Sequence, residues 1–428
     1  MALIGLLLSF AALMILGAPV AMTMFGSSIV YILLDGTINL SSMITKIVGG
    51  ISSQSLLALP LYVMTAEVMN AAGITRRLFN LPLSFIGHIR GGLAHVNILA
   101  SMLFAGMSGS AIADTAGLGK IEMQLMTEEG YDRDFSAAIT AASSTVGPII
   151  PPSTTMIVYA AAAEVSVARL FMGGILPGIV IAGMLMLYVI FVAPRKYNMP
   201  TRPRASWSER GVALKESLLS LLTPIIIIMG IVTGIATATE AGALACVYSI
   251  FLCYLYTRFD LKQFLRMMRE SFYTTAKICF IVAASALFGW VVTIAQIPSM
   301  VSEFLFELGA QKWLILLLIN VVLLFMGCFL SITSSILIIT PMLVVLAQMY
   351  QIGLVHLGVL MTLNLTIGLL TPPVGWNLYI MSEVANISFG RMVKAVVPML
   401  VPLMLALLAI TYFPETVLYL PRLLLGSG

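Results

Sequence analysis

Long apolar runs broken by short polar segments dominate the chain. From Trp313 to Ser382 no Asp, Glu, Lys or Arg occurs, a stretch several times the ~20 residues that one membrane-crossing helix needs. Met1 to Leu34 is also uncharged. Gly17-Ala-Pro19 interrupts it and predicts two short helices rather than one long one. A signal peptide is the rival reading, because Ala18-Pro-Val-Ala21 resembles a small-residue cleavage site. A basic n-region is missing and another apolar helix follows at once, so the segment is read as structure. Residues 35–50 read as interfacial, and further spans are expected over 55–72, 170–192, 223–234, 241–256, 278–295 and 395–413.

Two polar breaks in the first half return in the second. Phe104-Ala-Gly-Met-Ser-Gly-Ser110 leads to Asp114, and Ser143-Ser-Thr-Val-Gly-Pro-Ile-Ile-Pro-Pro-Ser-Thr-Thr155 follows. Later, Phe325-Met-Gly-Cys-Phe-Leu-Ser-Ile-Thr-Ser-Ser335 precedes Leu365-Thr-Ile-Gly-Leu-Leu-Thr-Pro-Pro-Val-Gly375. Phe104 matches Phe325, Gly106 matches Gly327, Ser110 matches Ser331, Gly147 matches Gly368, and Pro151-Pro152 matches Pro372-Pro373, always at one constant offset. The pattern predicts an internal duplication. Each half carries a re-entrant hairpin (about 93–120 and about 313–348) and a broken helix (135–163 and 357–384). Breaking a helix at membrane depth frees amides and carbonyls, which is tolerated only where they line a cavity or bind something. Discontinuous helices at corresponding places in two repeats point to the binding site of a secondary transporter.

Composition sets the class. The chain has 428 residues, is 60% hydrophobic and 9% charged, and has a mean hydropathy of +1.06. These values require an all-α polytopic membrane protein with the lipid bilayer as its solvent. The four cysteines (Cys246, Cys253, Cys279, Cys328) lie in apolar runs without metal-ligand spacing, and His88, His95 and His356 form no cluster with them. Redox and zinc chemistry are not expected, and neither is a nucleic-acid partner.

Charge placement gives orientation. Residues 74–92 hold Arg76, Arg77 and Arg90 with no acid, whereas residues 297–313 hold Glu303 and Glu307 against Lys312. Matching arms of opposite charge bias are what an inverted repeat predicts, the basic arm facing the cytoplasm. The linker 194–216 joins the halves with Arg195, Lys196, Arg202, Arg204, Arg210 and Lys215. The domains are therefore a first repeat (1–193), a basic cytoplasmic linker (194–216) and a second repeat (217–428). Each repeat has about five spans, and both termini face outside. Residues 120–134 read as a charged loop and 258–277 as a basic cytoplasmic segment.

A small hard cation such as Na⁺ takes oxygen ligands, and freed carbonyls supply them without a full charge. The first candidate site gathers Ser108, Ser110, Gly147, Ile150 and Pro152; the second gathers Ser331, Thr333, Gly368, Thr371 and Pro373. At least two Na⁺ sites are expected. The helix N-termini at the breaks favour an anion between them. Asp114, Thr154, Ser334 and Asn377 are the candidates to face that substrate. Asp114 is the one acid of the first hairpin and has an alternative role snorkelling to the interface. Asn364 also flanks the second break. Glu240 reads as a helix cap, and Glu67, Glu164 and Glu383 as interfacial.

Gly-Pro-Ile-Ile-Pro-Pro-Ser at 147–153, Leu-Leu-Thr-Pro-Pro-Val-Gly at 369–375 and Thr-Ala-Thr-Glu-Ala at 237–241 resemble the large membrane subunit of tripartite ATP-independent periplasmic (TRAP) transporters across essentially the whole chain. The resemblance implies Na⁺-coupled uptake of carboxylate-bearing substrates, sialic acids or C4-dicarboxylates, through an elevator-type fold in the bacterial inner membrane. It also implies two partners: a periplasmic substrate-binding protein and a small four-helix membrane subunit. No fused small subunit is visible, so a separate one is expected. In the wider superfamily the hairpin tips carry Ser-Asn-Thr; here they read Ser108-Gly-Ser110 and Ser331-Ile-Thr333. Sialic acid is the leading substrate expectation. A stand-alone Na⁺- or H⁺-coupled dicarboxylate carrier of the same superfamily is the alternative. A channel has no need of matched hairpins, and an enzyme would want an acid–base or metal constellation at depth. No nucleotide-binding Gly-rich motif supports an ATP-driven pump.

Overall fold

Pro19 ends the first apolar run where the pattern predicts, separating α1 (Ala2–Ile15) from α2 (Val20–Asp35). The computed structural model describes residues 1–36, 38–257, 260–307 and 309–426; the side chains of Leu40, Thr75, Arg76, Met107, Ser108 and Phe306 also lie outside the description. After α2 come α3 (Leu40–Ile51) and α4 (Ala58–Ala71), bent by 47° across a short break, and then the arm α5 (Ile74–Ile86). The first hairpin consists of α6 (Gly92–Ser108) returning through α7 (Ala111–Ala116) and α8 (Leu118–Glu128). A broken helix, α9 (Arg133–Ser143) and α10 (Thr154–Ala163), leads to α11 (Val167–Phe191).

The second half runs α12 (Trp207–Val232), α13 (Ala238–Thr257), α14 (Leu261–Ile294) and the arm α15 (Ile297–Glu307). Its hairpin is α16 (Lys312–Phe329) with α17 (Ile332–Met349). Its broken helix is α18 (Leu354–Gly368) with α19 (Trp376–Val384), followed by α20 (Phe389–Tyr412) and α21 (Glu415–Leu425). Several helix ends keep the offset seen in the motifs: Ser108 with Phe329, Glu128 with Met349, Ala163 with Val384, and Phe191 with Tyr412. Pro177 inside α11 and Pro398 inside α20 are spaced likewise. Among the described residues every regular element is helical. Among these described residues seven helices are long and apolar enough to cross a membrane, or eight if α3 with α4 is one span. Leucines such as Leu8, Leu33 and Leu255 are exposed, as lipid-facing residues are, while Tyr159, Phe135 and Phe171 fill the interior.

Three boundaries differ from expectation, each for a local reason. The first hairpin continues past Lys120 to Glu128, because Leu118, Glu122 and Met126 fall on one buried face at helical spacing. Half of the expected linker is helical, because Ser206 and Glu209 form a capping box that starts α12 at Trp207. The basic segment 258–277 is not separate from the span after it. Asp260 caps the amide of Gln263 at 2.8 Å, and α14 then runs 34 residues without a proline. A short helix, α21, follows the last span.

The basic segments meet at one end of the molecule. Arg210 Nε donates to the Ser84 carbonyl (3.2 Å) and Ser217 Oγ to the Arg77 carbonyl (2.8 Å), seating α12 beside the arm α5. Tyr131 Oη donates to the Pro200 carbonyl (3.0 Å), and Arg202 pairs with Glu129 (3.4 Å). Arg391, near the start of α20, makes a two-pronged contact with Asp134 at 2.8 and 3.2 Å. At the other end of α20, Tyr412 Oη donates to the Trp313 carbonyl at 3.2 Å. A helix of 24 residues is ~36 Å long. Asp134 and Trp313 therefore lie at opposite ends of α20. The Arg391–Asp134 pair is largely exposed, so Arg391→Ala is expected to lower unfolding stability by no more than ~1 kcal/mol. Thermal unfolding of the purified variant checks this.

Candidate binding site at the helix breaks

Both hairpin tips reach the broken helices. In the first half Gly109 ends α6 in the left-handed conformation (φ 58°), and its Cα lies against Pro152 to Thr154. A methyl group there would come within 2.8 Å of the Pro152 carbonyl oxygen. Thr154 Oγ1 donates to the Gly109 carbonyl at 3.4 Å, and Ser110 caps α7 by accepting from the Ala113 amide. Asp114 is buried on α7 with its carboxylate against Gly147; a methyl at Gly147 would collide with Oδ2. The tip and the break thus bring Ser110, Asp114, Gly147, Pro152 and Thr154 together. The side chain of Ser108 lies outside the described residues.

The second half repeats the meeting with different contacts. Gly327 and Gly368 touch backbone to backbone: a methyl on Gly368 would lie 2.6 Å from the Gly327 Cα, and one on Gly327 would lie 2.8 Å from the Leu365 carbonyl oxygen. The Gly375 amide donates to the Cys328 carbonyl (3.2 Å), and Trp376 Nε1 donates to the Phe329 carbonyl (3.4 Å). Ser331 caps α17, accepting from the Ser334 amide at 3.2 Å as Ser110 does for Ala113. The Pro151–Pro152 and Pro372–Pro373 bonds are both cis.

Several hydroxyls are engaged locally. Ser331 Oγ donates to Ser334 Oγ (2.8 Å), and Thr371 Oγ1 to the Ile367 carbonyl (3.0 Å). Thr333 is half-buried and Pro373 exposed. Ile150 turns its side chain toward Gly178 of α11. What these residues offer at the breaks is backbone carbonyls as much as side chains.

Asn377 ties the halves together. It is fully buried at the start of α19, and its Nδ2 donates to Ser144 Oγ at 3.1 Å. Ser144 also accepts from Thr115 Oγ1 (2.9 Å) on the first hairpin. The amide oxygen of Asn377 is buried and has no hydrogen-bond partner among the described residues. Correspondingly, α7 packs on α19 and α10 on α17, so each hairpin touches the other half's broken helix.

A buried polar network behind the tips was missed in the sequence. Asn97 on α6 donates to Thr140 Oγ1 (2.7 Å) and accepts from Ser143 Oγ (2.6 Å), which also accepts from Ser101. In the other half Asn364, the counterpart of Ser143 at the repeat offset, donates to Asn320 Oδ1 at 2.7 Å. Asn320 in turn donates to Thr411 (2.9 Å). Each hairpin's first arm is thereby bonded to the first part of its own broken helix. Glu122, read from sequence as part of a charged loop, is buried beside Asn97. The four-residue spacing of Leu118, Glu122 and Met126 was the signal for its burial. Among the described residues no group of three His, Cys, Asp or Glu could hold a metal ion.

Comparison with known proteins decides the family. Residues 7–416 match the model of the tripartite ATP-independent periplasmic transporter, DctM component. The chain belongs to that family. It is thus the large permease of a TRAP system, a multi-pass protein of the bacterial inner membrane and not an enzyme. Its system includes a substrate-binding protein and a small membrane subunit. Among curated relatives of this TRAP permease, the sialic acid TRAP transporter large permease SiaM of Vibrio cholerae is 40% identical over 99% of the chain and 100% of the relative. The C4-dicarboxylate TRAP transporter large permease DctM of Pseudomonas aeruginosa is 38% identical over 91% and 92%. Among solved structures, the YdaH transporter of Alcanivorax borkumensis aligns with a TM-score of 0.66 over 88% of the chain and 89% of that protein, at 12% identity. That likeness concerns the fold.

Proposed function

We propose that this permease couples inward Na⁺ flow to uptake of a carboxylate-bearing substrate handed over by its periplasmic binding protein. Sialic acid is the first candidate, following the relative from Vibrio cholerae, and a C4-dicarboxylate is the second. The observation that carries this reading is the double meeting of hairpin tip and helix break, at Gly109 with Pro152 and at Gly327 with Gly368. Freed carbonyls at two such places suit hard cations, and helix N-termini beside them suit an anion.

The residues fit Na⁺ in kind. The donors are all oxygens, and a buried amide oxygen of Asn377 stands without a partner among the described residues. One ion would be held around Ser108, Ser110, Gly147, Ile150 and Pro152, the other around Ser331, Thr333, Gly368, Thr371 and Pro373. Asp114, Thr154, Ser334 and Asn377 would face the substrate. Residues 1–193 and 217–428 would be inverted repeats joined by the linker 194–216. The constant offset between helix ends and the placement of Asp134 and Trp313 at opposite ends of α20 support this. The hairpins and broken helices, bonded through Asn97 and Asn320, would move as one body in an elevator against the remaining helices, which lie in lipid.

The test is uptake into liposomes holding the permease, with and without its small membrane subunit and binding protein, under an imposed Na⁺ gradient. Labelled sialic acid and succinate are the substrates. Uptake requiring all components and Na⁺ is expected; uptake by the permease alone would favour a stand-alone carrier. In the full system Ser331→Leu is expected to raise the Na⁺ concentration for half-maximal uptake about ten-fold, the loss of ~1.4 kcal/mol of binding. An unchanged Na⁺ curve would remove Ser331 from the site.

A further inference from the structure

Where α14 meets the second hairpin, one hydrogen bond crosses between elements that the elevator reading assigns to different bodies. Ser285 Oγ on α14 donates to the Leu337 carbonyl on α17. Leu337 lies four residues before Pro341, and a proline has no amide with which to close the helical bond to that carbonyl. The carbonyl is therefore an orphan of α17, and Ser285, itself buried, supplies the missing donor from the neighbouring helix. One turn further along both helices Gly289 meets Pro341: a methyl at Gly289 would lie 2.6 Å from the proline ring. The two contacts share one face of each helix. Beside them lies a cavity of 930 Å³ that also reaches the bend at Ser53 and the end of α10.

The first half has no equivalent. The positions that the repeat offset pairs with Ser285, Leu337 and Pro341 are Met64, Ala116 and Lys120, which provide neither the hydroxyl nor the proline. A buried carbonyl left without a partner lowers the population of the state that contains it by roughly 5- to 150-fold.

We propose that Ser285 is a positioning residue: it latches the second hairpin to α14 through the carbonyl orphaned by Pro341, and so favours one end position of the moving body over the other. The proposal rests on the two-body reading above. When the hairpin slides away, Leu337 leaves Ser285 and its carbonyl is hydrated from the cavity. The latch thus sets the ratio of docked to released molecules without touching substrate or ion.

The test is a mutant cycle read by distance. The full permease, with its four cysteines replaced and its small subunit bound, is placed in nanodiscs. Spin labels go on Phe280→Cys in α14 and Met349→Cys at the end of α17, both exposed positions. Ser285→Ala is expected to shift the docked-to-released ratio toward released about ten-fold. Pro341→Ala restores an amide to α17 and pairs the Leu337 carbonyl within its own helix. In that background Ser285→Ala is expected to change the ratio less than about two-fold. Should Ser285→Ala fold poorly, Ser285→Thr against Ser285→Val gives the same comparison at matched volume, with the hydroxyl kept or lost. Equal shifts in the two backgrounds, with two distance populations present, would overturn the latch and leave the two-body reading standing. A single unchanging distance in every variant would overturn both.

Discussion

Gly327→Val is expected to remove most Na⁺-driven uptake while the permease still folds and inserts. The reason is the contact between the second hairpin and its broken helix. A Cβ at Gly327 would come within 2.8 Å of the Leu365 carbonyl oxygen and 3.0 Å of the Gly368 Cα. Both obstacles are backbone, so no side chain can turn away to make room. The hairpin must separate from the break, and the bond from the Gly375 amide to the Cys328 carbonyl lies in the path of that movement. Overpacking of this kind costs ~1–3 kcal/mol. Taken from the assembled site, that is a roughly 5- to 150-fold loss of molecules with tip and break in place. Uptake in the reconstituted system should fall accordingly, with the melting temperature reduced far less than by a core truncation. Normal uptake by this variant would show that the tip and the break need not touch for transport.

The same contact shows why so much of the fold was legible. Glycines, serines and prolines that break apolar helices are rare enough that five pairs at one spacing exposed both tips and both breaks. The helix ends at Glu128 and Met349 or Phe191 and Tyr412 fall into the same register. Charge was the less faithful guide. Lys120 to Asp134 looks like a loop because it is rich in acids and bases, yet α8 occupies most of it, with Lys120 exposed and Glu122 buried on the opposite face. The basic stretch before Lys277 likewise belongs to α14, since nothing between Leu261 and Ile294 interrupts helical hydrogen bonding. Side-chain partners were the least legible. Ser144 stands in a quoted motif, but its bonds to Thr115 and Asn377 join residues 29 and 233 positions away, and no periodicity in a single sequence encodes such distances. Ile150 illustrates the converse, because its place in the motif is matched by a side chain aimed at α11.

Asn377→Ala is expected to raise the substrate concentration for half-maximal uptake up to about ten-fold, since its Oδ1 can accept from a substrate hydroxyl or amide and such a neutral hydrogen bond contributes ~0.5–1.5 kcal/mol. Two roles of this side chain separate cleanly. Its Nδ2 is used on Ser144 inside the protein, a tie between the halves whose loss should lower stability by ~1 kcal/mol. Ser144 itself is not orphaned, because it keeps its bonds to Thr115 and to the Ala141 carbonyl. The Oδ1 atom is buried without a partner among the described residues, a position that a folded protein tolerates more readily where a ligand completes it. Substrate and Na⁺ curves measured on one preparation distinguish the outcomes. A raised substrate half-saturation with an unchanged Na⁺ curve places the amide against the substrate. A displaced Na⁺ curve with substrate affinity intact moves Asn377 to the ion. A lower melting temperature with both curves unchanged confines it to holding α19 against the first hairpin.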